Sequence, residues 1–219
     1  MVVFSVIYVL FLFAYFITRV GNNLKYRAIN KYILATMYLV YAIIMFHTQD
    51  LSGYHYVLMC GLFLAYLGDI FLVFDLARGG DFFLAGNICF TTFYLASLTN
   101  ASIPFVNYFW VFILWLVIIS LFVFLANKYP SVLKLGKMKH PMAFYLSSIT
   151  LHGLLGLVSA IFIGTTPLIV MGIGSTLFMI SDYILTVDRF IIQKNKWIVR
   201  CNSLTSFGGL LLIVLSMGL

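Results

Sequence analysis

Long stretches without a charged residue dominate this sequence. The chain is only 9% charged, whereas a soluble domain carries about 25% charged residues. Since roughly 20 apolar residues are enough to cross a bilayer as a helix, the sequence predicts a multi-pass membrane protein and excludes the soluble, disordered and disulfide-rich secreted classes. The charge-free runs cover residues 1–18, 32–49, 51–68, 82–127, 140–181 and 201–219.

Turn-forming residues divide the two longest runs, at 99–104 in one and at 164–167 in the other. The sequence therefore predicts an all-α membrane protein, a single domain of eight transmembrane helices over residues 1–219. The predicted helices are 2–18, 32–46, 54–74, 82–98, 105–126, 143–163, 167–187 and 203–219.

The basic residues predict the orientation of these helices. All thirteen Lys and Arg fall in loops one, three, five and seven. By the positive-inside rule, these loops face the cytoplasm and both termini face outside or the lumen. We expect the endoplasmic reticulum or another endomembrane in a eukaryote, and the inner or plasma membrane in a bacterium. Topology thus explains the net charge of +7, and we expect membrane lipids, not nucleic acid, as partners.

Two aspartates lie inside predicted helices, where a charged side chain costs about 2.5–3.5 kcal/mol. Asp69 stands five residues before the end of helix three, and Asp182 five residues before the end of helix seven. Such carboxyl groups normally face a protein interior or a watery cavity, so we take both as candidate catalytic residues. We expect them to open into one cavity, within about 10 Å of each other. A hydrogen-bonded structural role is the alternative.

The surroundings of the two aspartates are similar. Asp69 is followed six residues later by Asp75, and Asp182 six residues later by Asp188. This recurrence, four helices apart, is typical of a weak parallel repeat of two four-helix halves. We expect the second Asp of each pair to be an interfacial charge, paired with the Arg that follows it, and a catalytic role is the alternative.

Other polar or small residues at similar depth are candidates to bind a substrate. Tyr66, one turn before Asp69, is a candidate to hydrogen-bond a carboxyl group. For some of the others, ordinary snorkelling, capping or interfacial placement is the alternative. We expect no metal and no cofactor. The candidate substrate-binding residues are Lys31, Tyr66, Gly86, Asn87, Tyr145, Ser181 and Asn202.

Several short motifs occur in a distinctive order: Gly68-Asp69, then Phe83-x2-Gly86-x3-Phe90, then Gly174-x2-Leu177-Phe178-x2-Ser181-Asp182, with Lys31 and Tyr145. Together they resemble the lysoplasmalogenase family, also called YhhN-like, over about residues 25–215. The resemblance implies a multispanning hydrolase that cleaves the vinyl ether bond of a lysophospholipid substrate. The products would be a fatty aldehyde and a glycerophospho-alcohol, with the two membrane aspartates as catalytic candidates.

Departures from the family pattern keep other functions open. Tyr94 stands where the family pattern has His. In the last helix the family tends to carry Tyr and Gln, whereas this chain has Thr205 and Ser206 there. A catalytically silent lipid-binding relative is one alternative. A proton-coupled transporter is another, because membrane aspartates and a repeat fit it equally. An intramembrane aspartyl protease is disfavoured, since its Gly-x-Gly-Asp motif needs Gly where Tyr66 stands.

Overall fold

The computed structural model describes residues 2–20, 24–51, 53–192 and 195–219, which are mostly helical and contain no β-strand. A 3₁₀ turn at Gly136–Met138 and a π turn at Asp188–Ile192 accompany eight α-helices in these residues. The all-α prediction is confirmed. The helices are α1 Val2–Thr18, α2 Leu24–Thr48, α3 His55–Phe71, α4 Leu76–Asn100, α5 Phe105–Lys128, α6 Lys139–Ile163, α7 Thr166–Val187 and α8 Lys196–Ser216.

Six helices, α2 and α4 to α8, are long and apolar enough to cross a membrane. The helices α1 and α3 are apolar but have only 17 residues each, slightly fewer than the roughly 20 that span a bilayer. The chain is therefore an integral multi-pass membrane protein. Membrane crossing by α1 and α3, and the side on which the termini lie, stay predictions.

The even-numbered helices begin earlier than the charge pattern predicts. The helix α2 begins at Leu24 and α8 at Lys196, although the predicted starts were 32 and 203. A charge ends an apolar run but not a helix, because Lys and Arg are good helix formers. Capping fixes two of these starts: the side chains of Asp75 and Asn195 accept hydrogen bonds from backbone N–H groups in the first turns of α4 and α8.

Close approach at glycines holds α7 between α6 and α8. A Cβ atom at Gly172 would lie 2.5 Å from the carbonyl oxygen of Gly156 in α6. One at Gly174 would lie 2.7 Å from the carbonyl oxygen of Gly209 in α8. Lipid tails are as apolar as leucine, so helices in a bilayer associate largely through such tight packing. These glycines position α7, which carries Asp182.

Most contacts between helices follow the order that two repeated halves would give. Consecutive helices pack together within α1 to α4 and within α5 to α8. Between the halves, α4 packs on α6 and α2 packs on α8, while α1 also contacts α8. In such a repeat α4 corresponds to α8, and α6 corresponds to α2. The α4–α6 contact is therefore equivalent to the α8–α2 contact. The α4–α6 and α2–α8 contacts fit a parallel repeat, whereas the α1–α8 contact has no α5–α4 counterpart of similar extent among the described residues.

Residues from the four basic loops meet at one end of the bundle. The ends of α1, α3 and α7 and the start of α2 line one cavity there. A second cavity lies among the ends of α3 and α7 and the starts of α4 and α6. We call this the basic end, and it is the end nearest Asp69 and Asp182.

Candidate active site

Asp69 is buried in α3 near the basic end, with 2% of its surface exposed. The ammonium nitrogen of Lys31 lies 3.1 Å from its Oδ1 atom. The hydroxyl of Tyr38 donates a hydrogen bond to its Oδ2 atom at 3.4 Å. Lys31 and Tyr38 are seven residues apart, about two turns, so they project from one face of α2. This face supplies both partners of Asp69.

Asp182 is buried in α7, with 5% of its surface exposed. Its Oδ2 atom accepts a short hydrogen bond from the hydroxyl of Tyr145 in α6. Neither of the salt bridges between described residues involves Asp182. The two carboxyl groups therefore have different partners, an ammonium group with a phenol for Asp69 and a phenol for Asp182.

The two aspartates lie near enough for their charges to interact. The charges of Asp69 and Lys31 both act on Asp182, and the charge of Asp69 also acts on Tyr145. Water screens buried charges far less than exposed ones. A change of charge on one aspartate is therefore felt by the other. The helices α3 and α7 bring the two candidate catalytic residues into one region of the bundle.

Two adjoining cavities open beside these groups. The apolar cavity, of about 280 Å³, lies between α3, α4, α6 and α7, and its lining includes Tyr145. The basic cavity, of about 390 Å³, lies at the ends of α1, α2, α3 and α7, and its lining includes Lys31. Leu72 and Arg189 line both cavities and so stand between them.

The carboxyl groups reach these cavities through their partners. Neither Asp69 nor Asp182 is among the residues that line the two cavities. The expected arrangement was a single cavity into which both open. Lys31 contacts Asp69 and lines the basic cavity, and Tyr145 contacts Asp182 and lines the apolar cavity. Each of these two side chains therefore lies between one carboxyl group and one cavity. A substrate in either cavity would lie one side chain away from an aspartate.

The sequence pattern of the YhhN family matches residues 26–217. The chain belongs to the YhhN family. The resemblance carried by the short motifs is thereby confirmed, and lysoplasmalogenase is the known activity of this family. The match runs from the first turn of α2 to the end of α8 and so includes both aspartates and their partners. No curated protein and no solved structure matches the chain.

Two more predicted residues of this YhhN-family protein contact each other instead of the carboxyl groups. The side-chain amide of Asn202 donates to the carbonyl oxygen of Ser181 at 2.8 Å and to its hydroxyl at 2.9 Å. The hydroxyl of Ser181 donates to the carbonyl oxygen of Asn202 at 3.2 Å. These bonds join α7 to α8 beside Asp182. They position the aspartate-bearing segment of α7.

Tyr66 and Gly86 lie away from the expected contacts. Within the described part of the chain, the hydroxyl that reaches Asp69 comes from Tyr38 of α2 and not from Tyr66. Asp69 faces α2, so a residue on its own helix is less well directed at it. A Cβ atom at Gly86 would lie 3.1 Å from the carbonyl oxygen of Gly61. Gly86 therefore lets α4 approach α3 closely.

Asn87 belongs to a buried polar network that sequence reasoning missed. Nδ1 of His152 lies 3.2 Å from Oδ1 of Asn87, and Nε2 lies 2.9 Å from the hydroxyl of Ser175. The hydroxyl of Tyr94 lies 2.6 Å from the same Ser175 oxygen. The Ser–His–amide order resembles an activated nucleophile, but both Ser175 and His152 have 0% exposure. The network links α4, α6 and α7, and Tyr94, where the family pattern has His, is part of it.

The two interfacial aspartates differ from each other. Nε of Arg78 lies 3.5 Å from Oδ2 of Asp75, and both side chains are well exposed, which confirms the first predicted pair. Among the described residues, no such salt bridge joins Asp188 to Arg189, and Oδ1 of Asp188 is buried without a hydrogen-bond partner. The second predicted pair is therefore wrong, because Arg189 faces the cavities instead.

The described residues offer no obvious metal site. Over the described ranges, no three His, Cys, Asp or Glu side chains are grouped as metal ligands. The polar groups at the basic end are instead carboxyl groups, phenols and cations. Such groups can donate, accept and hold protons, and they can bind anions.

Proposed function

We propose that this YhhN-family protein cleaves the vinyl ether bond of lysoplasmalogens, releasing a fatty aldehyde and a glycerophospho-alcohol. One observation carries the proposal: two buried aspartates on separate helices, near enough for their charges to interact, each contact a side chain that lines a cavity. A pair of carboxyl groups with different surroundings is what acid and base roles require. The family's known activity supports the same reaction.

The different partners suggest a division of roles. Lys31 places a positive charge beside Asp69, and this ion pair suits an aspartate that acts in its ionised form. Tyr145 donates to Oδ2 of Asp182, which leaves Oδ1 to carry a proton. We therefore assign Asp182 as the general acid and Asp69 as the carboxylate that stabilises positive charge and accepts a proton from water.

The reaction then proceeds in two stages. Asp182 supplies a proton to the β-carbon of the vinyl ether through the hydroxyl of Tyr145, which lines the apolar cavity, gives its own proton to the substrate and takes the proton of Asp182 in turn. The carbon bonded to the ether oxygen becomes part of an oxocarbenium ion. Asp69 stabilises this cation and takes a proton from the water that attacks that carbon. In the collapse of the hemiacetal, Asp69 returns its proton to the ether oxygen, the alcohol leaves, and the hydroxyl proton goes to Asp182 through Tyr145. An aldehyde remains, and both carboxyl groups return to their starting states. Glycoside hydrolases divide the work of two carboxyl groups in a related way.

The position of the cavities suggests how a single-chain lipid enters. The lining of the apolar cavity includes Leu72, Leu84 and Met142, which suit an alkenyl chain. Tyr145 connects this cavity to Asp182. We place the basic end on the cytoplasmic side, following the positive-inside rule. The lysolipid would then approach from the cytoplasmic leaflet.

Aldehyde release by the purified protein tests this proposal. In a detergent solution there are no compartments, so a transporter or a silent lipid-binding relative would release no aldehyde. In D₂O, with the aldehyde trapped as it forms, we expect one deuterium at carbon 2 of the aldehyde, because protonation of the β-carbon is the first step. Absence of aldehyde from every vinyl ether lysolipid would contradict the proposal, and aldehyde without deuterium would contradict the mechanism.

A further inference from the structure

Cationic side chains surround the basic cavity. One comes from the end of α1, three from the first two turns of α2 and one from the π turn after α7. None of the described residues that line this cavity is acidic. The cationic residues are Arg19, Lys25, Arg27, Lys31 and Arg189.

These cations repel one another. The charges of Arg19 and Arg189 both act against the charge of Arg27, and both also act against that of Lys31. Asp69 offsets the charge of Lys31. Like charges around a partly enclosed space repel one another, which raises the energy of the folded protein. They also focus a positive potential in that space. An anion in the cavity would remove this repulsion.

Hydrogen-bond donors are available to such an anion. Nε of Arg27 is buried and has no hydrogen-bond partner among the residues that the structure describes. A buried donor without a partner is costly, and an anion in the cavity could satisfy it. Arg19, by contrast, uses its Nε to donate to the hydroxyl of Ser203 at 3.1 Å, which fixes the direction of its guanidinium group. Arginine is well suited to phosphate, because its planar donors bind two oxygens at once.

We infer that the basic cavity binds the phosphate group of a lysophospholipid through Arg19, Arg27 and Arg189. The identity of the lipid rests on the proposed function, whereas the preference for phosphate rests on the charges and the unpartnered donor. Leu72 and Arg189 border both cavities. A phosphate in the basic cavity and a chain in the apolar cavity would leave the linking ether bond near Lys31 and Tyr145, the partners of the two aspartates.

Equilibrium binding of uncleavable lipids in a phosphate-free maltoside detergent tests this inference. The probes are a 1-alkyl lysophosphatidylethanolamine and a 1-alkylglycerol with the same chain. We expect the first to bind at least about tenfold more tightly, since hydrogen bonds to charged groups are worth this much or more. The variants are Arg27→Gln and Arg189→Gln, and the control is Lys137→Gln, which removes an exposed charge outside the cavity.

Each arginine variant should weaken lysolipid binding about tenfold and leave alkylglycerol binding unchanged, which also shows that the variant is folded. Lys137→Gln should leave both unchanged. Competition by inorganic phosphate or glycerophosphoethanolamine alone, at millimolar concentration, would support a phosphate site that also accepts phosphate from solution. Failure of these to compete would support a site for the lipid headgroup. Equal binding of the two lipids, or arginine variants that bind like wild type, would overturn the inference.

This measurement is independent of catalysis. The probes carry no vinyl ether, so a protein that binds them as expected but releases no aldehyde would refute the proposed reaction and keep the phosphate site. A protein that releases aldehyde but binds both lipids equally would refute the phosphate site and keep the reaction.

Discussion

The ammonium nitrogen of Lys31 lies 3.1 Å from Oδ1 of Asp69, and both side chains are almost fully buried. In a bilayer protein such a charge pair is costly to bury, and removal of one charged side chain leaves the other charge without a partner. The pair therefore ties the beginning of α2 to the end of α3 at the basic end. It also fixes the aspartate to which we assign the role of base.

Removing only one member of this pair should destabilise the protein strongly. We expect Lys31→Met to lower the free energy of unfolding by about 3–5 kcal/mol, because Asp69 is left buried without its cation. The double variant Lys31→Met/Asp69→Asn should recover part of this loss. Unfolding in detergent, followed by circular dichroism, measures both. As a control, Arg78→Met breaks an exposed pair and should cost no more than about 1 kcal/mol. A double variant less stable than Lys31→Met would contradict the expectation.

The hydroxyl of Tyr145 should matter for the reaction more than a neighbouring phenol. Tyr145→Phe removes the hydroxyl that contacts Asp182 and passes on its proton, so we expect aldehyde release to fall at least about tenfold. Tyr183→Phe is the matched control, since its hydroxyl contacts Thr150, 2.6 Å away. Initial rates at saturating lysoplasmalogen distinguish the two. Equal losses in both variants would argue against a proton-transfer role for Tyr145.

The close packing of α7 against α6 predicts that two Gly→Ala variants will differ in their free energy of unfolding. At Gly172 an added methyl group would lie 2.5 Å from a backbone oxygen, so Gly172→Ala should cost about 1–3 kcal/mol. At Gly208 no described atom beyond the adjoining residues and the backbone of its own helix lies within 4 Å of the added methyl group, and Gly208→Ala should be neutral or slightly stabilising. Thermal unfolding of the two variants compares them. A stable Gly172→Ala protein would mean that α6 and α7 are packed less tightly than described.

The orientation in the membrane can be tested by labelling single cysteines. In a background with Ser at Cys60, Cys89 and Cys201, an impermeant maleimide added to sealed cells should label Thr165→Cys. It should label Lys137→Cys only after permeabilisation, because the positive-inside rule puts this loop in the cytoplasm. Both positions are exposed. Labelling of Lys137→Cys in intact cells would reverse the proposed orientation.

Much of the fold could be predicted from the sequence, because charge and turn residues mark helix ends in a membrane protein. The predicted limits of α1 agree with the structure, and those of α5 and α7 differ by at most two residues. The starts of α2 and α8 were predicted too late, since Lys and Arg continue a helix beyond the apolar run. Charge patterns show where the apolar run stops, whereas capping by Asp75 and Asn195 shows where α4 and α8 begin.

The site was less predictable, because it depends on which faces of different helices meet. Sequence position identified Asp69 and Asp182 and suggested Lys31 and Tyr145. It did not identify Tyr38, although the spacing of seven from Lys31 places both on one face of α2. Depth alone also grouped Asn87 with the aspartates, yet Asn87 faces His152. The depth of a residue in the membrane can be predicted from the sequence, whereas the direction of its side chain depends on how the helices pack.

The most direct test of the central claim is aldehyde release by wild type, Asp182→Asn and Asp75→Asn. Asp182→Asn keeps an oxygen that can accept from Tyr145 but cannot supply the proton, so the rate should fall by about 10²–10⁴-fold. Asn replaces Asp well as a helix cap, so Asp75→Asn should keep the wild-type rate within a few-fold. If folded Asp182→Asn releases aldehyde as fast as wild type, the proposed aspartate chemistry is wrong.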